Sequence, residues 1–242
     1  MPTTEVLRFD AVQVSTEDLG RAEDAYARLL GVPPVRSGGA RRFELTRGAV
    51  ELVAGAPGAL ALRFAVVSRD EHALATARAA RFHGLRVTTD SVLPAGVDPA
   101  GHAPLPADAP PGVLAVDHVV VNTPGAERAL RLWRDTLRLR LALDREFPAR
   151  GLRMLFFRTA GVTLEVVSPL GARGEGDDAL HGIAYRVAGI AAWRERLLAD
   201  GFDVSEVRAG NKPGTRVATV RSRTEGVPTL LIEAAPDGGA RA

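Results

Sequence analysis

The sequence of this chain contains an internal repeat, and this repeat limits the folds that the chain can adopt. Residues 9–30 align without a gap with residues 116–137 at an offset of 107 residues, so that Asp10 matches Asp117. Each copy has an apolar strand-like run, a turn that begins with threonine, and a helix with apolar residues three and four positions apart. A match between segments of the same periodicity indicates duplication, and it predicts two halves built alike.

Each half repeats again, more faintly. Residues 60–84 and 181–202 each have the pattern of a strand followed by a helix, and the helices are predicted to end at Gly84 and Gly201. Short strands are predicted after the helices, at residues 42–46, 49–54, 152–158, 162–168, 203–208, 216–221 and 228–234. The predicted fold class is therefore α+β, with the unit βαβββ repeated four times.

The second of the four units is cut short. It runs into residues 91–112, which are rich in proline, alanine and glycine and cannot hold a ladder of strand hydrogen bonds. We therefore predict a degenerate N-terminal half at residues 1–90, a linker at 91–112 and a C-terminal half at 113–242.

Composition narrows the function classes. The 242 residues include no cysteine, which excludes disulfides, thiolate metal sites and a cysteine nucleophile. No apolar run approaches the roughly 20 residues of a membrane helix, and the first residues lack the pattern of a signal peptide. We expect a cytoplasmic protein without a membrane partner.

The charge pattern argues against nucleic-acid binding. The formal net charge is +2, and the cations, nearly all of them arginines, are scattered among aspartates and glutamates. The longest basic run is Arg41-Arg42, whereas phosphate binding requires a concentrated positive surface. We expect a small-molecule partner instead, and the sequence leaves a homodimer open.

Four strand segments carry a family resemblance: DHVVVNT, VTLEVVSP, HGIAYRV and PTLLIEAAP. Set in βαβββ modules, they resemble the vicinal oxygen chelate superfamily, which contains glyoxalases, methylmalonyl-CoA epimerases, extradiol dioxygenases and bleomycin-resistance proteins. The resemblance implies two glyoxalase-like half-open barrels with helices outside. It also implies a divalent metal, Fe, Mn, Ni or Zn, held by the first strand of each module and by a glutamate on the last strand.

These metal places can be carried over residue by residue. His118 occupies the first-strand place of the third module, and Glu165 and Glu233 occupy the last-strand places of the third and fourth. The remaining place falls on Gly182, and His181 would turn towards the metal only through a bulge. The resemblance thus implies a metal set of His118, Glu165, Glu233 and, with a bulge, His181, in which Glu165 and Glu233 are also the candidate catalytic groups.

Arg186 offers an alternative to a metal ion. Strand alternation places it on the cavity face, where a pair with a glutamate would satisfy the buried charges without an ion. In the N-terminal half the corresponding places hold Ala11, Glu51 and Ala61, and we expect Glu51 to be a solvated strand residue.

A basic turn gives a candidate anion site. Residues 210–214 read GNKPG, and the cations in and around this turn are Arg208, Lys212 and Arg216. Turn N–H groups beside cations favour carboxylate or phosphate, although a plain hairpin with a solvated basic tip fits the same pattern. Together with Arg186, these three residues are the candidate substrate-binding groups.

Two functions stay open at this point. The first is a metal-dependent enzyme, a lyase, isomerase or dioxygenase, that acts on a small oxygen-rich and anionic substrate. The second is a metal-free protein of the bleomycin-resistance type that binds or sequesters a small molecule, with Arg186 and Glu165 as anchors. Gly182 at a usual ligand place supports the second interpretation.

Overall fold

The computed structural model describes residues 6–67, 80–93, 105–106, 108–159 and 161–234, and within them the strands form two sheets, one from each half of the sequence. The first half contains β1 (Val6–Thr16), α1 (Leu19–Leu30), β2 (Val35–Ser37), β3 (Ala40–Glu44), β4 (Ala49–Ala54), β5 (Gly58–Val67), β6 (Ala80–Phe82) and β7 (Leu85–Leu93). The second half contains β8 (Gly112–Asn122), α2 (Ala126–Leu130) with a π-helical continuation (Arg131–Thr136), β9 (Arg140–Phe147), β10 (Leu152–Thr159), β11 (Val162–Pro169), β12 (Ala179–Ala188), α3 (Ile190–Ala199), β13 (Arg208–Ala209), β14 (Thr215–Val220) and β15 (Thr229–Ala234).

The strand order of each sheet contains the predicted modules. The first sheet has the order β2-β3-β4-β1-β5-β7-β6, and the second has the order β13-β14-β15-β12-β8-β11-β10-β9. In the second sheet the first and last strands of each module, β8 with β11 and β12 with β15, pair in parallel. Parallel neighbours need a long crossover connection, which the helix and two strands between them provide. The α+β fold of tandem βαβββ modules is therefore confirmed.

The second module departs from its prediction. The sequence predicts a helix as far as Gly84, but residues 80–82 form β6 and pair antiparallel with β7, so this end of the helix prediction is wrong. Residues 68–79, on which most of that helix falls, lie outside the described residues. β7 reaches Leu93 and so extends into the segment predicted as a linker.

Helix α1 illustrates how local sequence sets the bounds of an element. The side chain of Asp18 accepts the backbone N–H of Arg21 at 3.0 Å and caps the N-terminus. Gly31 ends the helix with a φ of +72°, a conformation that glycine adopts at little cost. Between these ends, Tyr26 and Leu29 lie on the buried face.

Strand β9 is not predicted by the sequence pattern. Nearly all of its side chains are exposed, so apolar and polar residues need not alternate along it. It pairs antiparallel with β10, with a bulge opposite Phe156 and Phe157, and forms one edge of the second sheet.

The chain divides into two compact units, and each unit combines segments from both halves of the sequence. One comprises Met1–Gln13, Ala59–His102 and His118–His181, and the other comprises Val14–Gly58, Ala103–Asp117 and Gly182–Ala242.

Aromatic side chains are central to the core of each unit. In the first, the ring centroids of Phe9 and Phe64 are 6.0 Å apart in an edge-on contact, and Trp133 lies 6.2 Å from Phe64. In the second, the fully buried Tyr26 packs against Phe43 at 6.2 Å. The helices of the described residues lack the length and apolar character of a membrane-spanning segment.

Within the first unit, β10, β11 and the part of β8 from His118 onwards each have one mostly buried face and one face that is partly accessible. On β11, Leu164 and Val166 are buried, whereas Glu165 and Val167 are half-buried. We call the partly accessible face of β8, β11, β10 and β9 the open face. It is the part of the fold that positions the candidate site.

Candidate functional site

The open face carries a histidine–carboxylate pair. His118 on β8 lies directly beside Thr163 on β11, and Glu165 follows two residues later on the same face. The Nδ1 atom of His118 and the Oε1 atom of Glu165 are 3.8 Å apart, and the two side chains are 15% and 20% exposed. Such a pair presents an acceptor on the carboxylate and a donor or acceptor on the imidazole to a bound molecule.

Three further side chains surround this pair on the open face. Arg158 on β10 donates from Nη1 to the Oγ1 atom of Thr163 at 2.6 Å. Phe156, also on β10, lies opposite Glu165. Arg140, at the start of β9, lies opposite Arg158. The sequence pattern does not mark these three residues, because none of them belongs to a repeat motif and Arg140 lies on β9, which has no apolar pattern.

Glu233 is held at the start of α3. Its Oε1 atom accepts the backbone N–H of Ile190 at 3.1 Å, and its Oε2 atom accepts an N–H from Nε of Arg216 at 2.6 Å. The residue that precedes the helix, Gly189, has no side chain with which to cap it. The carboxylate from β15 therefore supplies the cap and lies favourably at the positive end of the helix dipole.

The register between β12 and β15 places Glu233 on the opposite face from Arg186. Leu231 lies beside the buried Tyr185, so Glu233, two residues further along β15, is on the face of Tyr185. Arg186, the next residue on β12, points the other way. Its Nη2 and Nε atoms donate to Oδ1 of Asp117 at 2.7 and 3.0 Å. The expectation that Arg186 pairs with a glutamate is therefore wrong.

The ion pair of Arg186 has a counterpart in the first half. Asp10, the repeat equivalent of Asp117, lies 3.9 Å from Arg63, measured from Oδ2 to Nε. Arg63 and Arg186 occupy matching positions in the segments LALRFAV and IAYRVAG. In both halves the pair joins the first strands of two consecutive modules, which indicates a structural role.

The remaining predicted donors do not complete a metal site. A Cβ built on Gly182 would lie 2.7 Å from the carbonyl oxygen of Pro228, so this position has no room for a ligating side chain. His181 is exposed, and Glu233 is engaged by Arg216 and by α3. Among the described residues no three His, Asp or Glu side chains form a group that could hold an ion.

The number of available ligands shows whether these residues could hold the implied metal ion. A catalytic zinc site takes about three protein ligands and leaves one position open. Of the predicted set, His118 and Glu165 are the members that the structure brings together. Two donors fall short of that number, so the residues do not fit the implied metal, and we derive no chemical step through it.

The predicted basic turn is a β-hairpin. Arg208 on β13 pairs with β14, and the N–H of Gly210 donates to the carbonyl of Thr215 at 2.9 Å across the turn. Arg208 and Lys212 are exposed, while Arg216 forms an ion pair with Glu233. A role of these cations in substrate binding stays a prediction.

The corresponding places of the first half are filled by buried residues. Ala11 and Ala61 are fully buried, and Glu51 is only 6% exposed. Glu51 lies directly opposite Arg42 on β3, where a carboxylate and a guanidinium stabilise each other. The expectation that Glu51 is solvated is wrong, since the sequence of one strand does not reveal what covers it.

Comparison with known proteins shows which family and which folds this chain is similar to. Residues 117–219 match the sequence model described as "Glyoxalase/Bleomycin resistance protein/Dioxygenase superfamily". The fold is similar to that of BphC, a halotolerant catechol dioxygenase, with a TM-score of 0.65 at 14% identity over 95% of this chain and 87% of that one. It is also similar to the Mn(II)-bound glyoxalase from Novosphingobium aromaticivorans, with a TM-score of 0.66 at 17% identity over 95% and 82% of the two chains. No curated protein matches the sequence.

The resemblance carried by the strand motifs is thereby confirmed for residues 117–219, the segment that matches the family model. At these identities the solved structures establish the fold alone. The matched segment contains both His118 and Glu165, so the family match falls on the half that carries the open face.

Proposed function

We propose that the C-terminal half of this chain binds a small, oxygen-bearing molecule on its open face without a metal ion, as a protein of the bleomycin-resistance type. The observation that carries the proposal is the engagement of Glu233 by the Ile190 N–H and by Arg216. This carboxylate, which would have to join His118 and Glu165 in a metal set, instead caps a helix.

His118 and Glu165, the polar pair on the open face, would orient the bound molecule. Glu165 accepts a hydrogen bond from a ligand hydroxyl or amide, and the imidazole of His118 donates to or accepts from a neighbouring ligand oxygen. Because both side chains are at least four-fifths buried, hydrogen bonds to them are less exposed to competition from water than those at the surface. Phe156, opposite Glu165, offers an apolar surface for the rest of the molecule.

Metal content and thermal unfolding test this proposal. The full chain, purified without added ions, is expected to contain metal well below one ion per chain. Its Tm is expected not to rise with Mn²⁺, Fe²⁺, Ni²⁺ or Zn²⁺, whereas an ion at 100 times its Kd would stabilise a real site by about 2.7 kcal/mol. One ion per chain, lost in His118→Ala and kept in the exposed-surface control Glu195→Ala, would contradict the proposal.

A second candidate function is favoured by the spacing of the polar pair. The Nδ1 and Oε1 atoms of His118 and Glu165 lie 3.8 Å apart and are of the donor types that Fe, Mn, Ni and Zn accept. A metal-dependent lyase, isomerase or dioxygenase would need at least one further ligand in addition to these two residues. The same experiment separates the two candidates, because stoichiometric metal would favour the enzyme.

A further inference from the structure

We propose that the ligand of the open face is a small organic carboxylate, and that its carboxylate group binds at a cross-strand row formed by Arg140, Arg158, Thr163 and His118. This inference rests on the proposed function and names the class of ligand. It also moves the anion site away from the cations singled out by the sequence, of which Arg186 and Arg216 are already ion-paired.

Strand register creates the row. Arg140 on β9 lies opposite Arg158 on β10, Arg158 lies opposite Thr163 on β11, and Thr163 lies beside His118 on β8. Directly paired residues project from the same face of a sheet. With neighbouring strands about 4.8 Å apart, the row spans about 14 Å. Its two ends are therefore cationic at β9 and polar at β8.

The two arginines are an unfavourable neighbouring pair by themselves. Like charges at directly opposite positions of an antiparallel pair destabilise a sheet. Within the described part of the chain neither Arg140 nor Arg158 forms an ion pair, and Arg158 directs one N–H to the neutral hydroxyl of Thr163. A carboxylate placed between the guanidinium groups would offset their repulsion and accept charged hydrogen bonds from both.

Strand β9 has arginines on one face and Asp144 on the other. Arg140 and Arg145 lie opposite Arg158 and Met154, which are on the open face. Asp144 is on the other face, where Arg153 donates to it from Nε and Nη2 at 2.8 and 2.7 Å. Asp144 is therefore neutralised by Arg153 on the other face of β9, and the charged residues that β9 contributes to the open face, Arg140 and Arg145, are both cationic.

An apolar row lies next to the cationic one. Phe156 on β10 is opposite Leu143 on β9, and Leu143 is 47% exposed although it is a large hydrophobic residue. Met154, two residues before Phe156 on β10, lies on the same face. Cations beside an accessible apolar surface suit a ligand with a carboxylate at one end and an aromatic or aliphatic body.

The test compares carboxylates with their neutral isosteres. Benzoate and mandelate, and the matching carboxamides benzamide and mandelamide, are titrated into the full chain by calorimetry or by amide chemical shifts. The proteins are wild type, Arg158→Gln, Arg140→Gln, and the control Arg150→Gln, which removes an exposed arginine of the turn after β9. Thermal unfolding of each variant checks that it folds.

The expected result is selective for charge. Wild type should bind each carboxylate about tenfold more tightly than its carboxamide, because one charged hydrogen bond accounts for about that factor. Arg158→Gln should remove the preference and Arg140→Gln should reduce it, while Arg150→Gln leaves it unchanged. Raising the salt concentration should lower the affinity for the carboxylates and leave the affinity for the carboxamides unchanged.

Two outcomes would overturn the inference, and they differ in what they say about the proposed function. If carboxylates and carboxamides bind equally, and Arg158→Gln changes neither, the anion row is wrong while binding at the open face stands. If none of the four compounds binds wild type, the proposed function fails together with the inference.

Discussion

Each half of the molecule contains an equivalent Asp–Arg ion pair, but the residue that follows the aspartate differs between the halves. Asp10 faces Arg63 in the first half, and Asp117 faces Arg186 in the second. The next position along the strand is a fully buried alanine in the first half and the half-buried His118 in the second. The shared pair joins strands in both copies, whereas the histidine occurs in one copy only. This difference indicates that the ion pair stabilises the repeated fold, whereas His118 is available for ligand binding in the second half.

The largest effect is expected at Gly182, where the family places a ligating side chain. Gly182→His should destabilise the chain by about 3 kcal/mol or more, because its Cβ would lie 2.7 Å from a backbone oxygen of Pro228. Urea unfolding measures the change. Gly39→Ala is the control, since no atom lies within 4 Å of a Cβ there. A stable Gly182→His variant that gains an ion would restore the metal interpretation.

The two repeated ion pairs should differ in strength. Asp117 accepts two N–H groups of Arg186, with both side chains mostly buried, so Asp117→Asn is expected to cost about 1–2 kcal/mol. Asp10 and Arg63 are 3.9 Å apart, and Asp10→Asn should cost less than about 1 kcal/mol. A double-mutant cycle on each pair, followed by urea unfolding, checks the order. Equal coupling energies would contradict it.

A smaller loss is expected when the helix cap from β15 is removed. Glu233→Ala should lower the free energy of unfolding by about 1 kcal/mol, the usual value of an N-terminal cap, and should leave ligand binding unchanged. Glu195→Ala, at a residue with a 71% exposed side chain, is the control. If Glu233→Ala abolished binding without changing stability, Glu233 would belong to the site.

The smallest effect concerns pH and the two faces of β9. Hydrogen bonds from the Arg153 guanidinium hold the pKa of Asp144 below its ordinary value. A lowered pKa in the folded state stabilises the fold above the ordinary Asp pKa of about 3.9, and this is lost as the pH falls through the folded value. Since the pair is near the surface, Asp144→Asn should cost about 0.5 kcal/mol at pH 7, and this cost should disappear as the pH falls through the lowered pKa of Asp144. Acid unfolding curves of the two proteins should therefore converge at low pH.

The sequence predicts much of the fold because the repeat is read directly from it. The family resemblance also groups His118 with Glu165, and alternation along β11 places Thr163 and Glu165 on one face of that strand. Glu233 could not be placed in this way, since its face depends on the register between β12 and β15, which strands far apart in sequence determine jointly. Asp117 could not be recognised as the partner of Arg186 for the same reason. Strand β9 was missed because an exposed edge strand needs no apolar pattern.

We propose that His118 and Glu165, which form a pair in one half only, bind the ligand, and that the ion pair found in both halves maintains the fold. Mandelate affinity and Tm, measured together for His118→Ala, Arg186→Gln and Arg63→Gln, distinguish these two roles. We expect His118→Ala to weaken mandelate binding about tenfold or more at a nearly unchanged Tm. The two arginine variants should lower Tm and keep the affinity of wild type. Lost affinity in Arg186→Gln, with His118→Ala binding normally, would contradict this proposal.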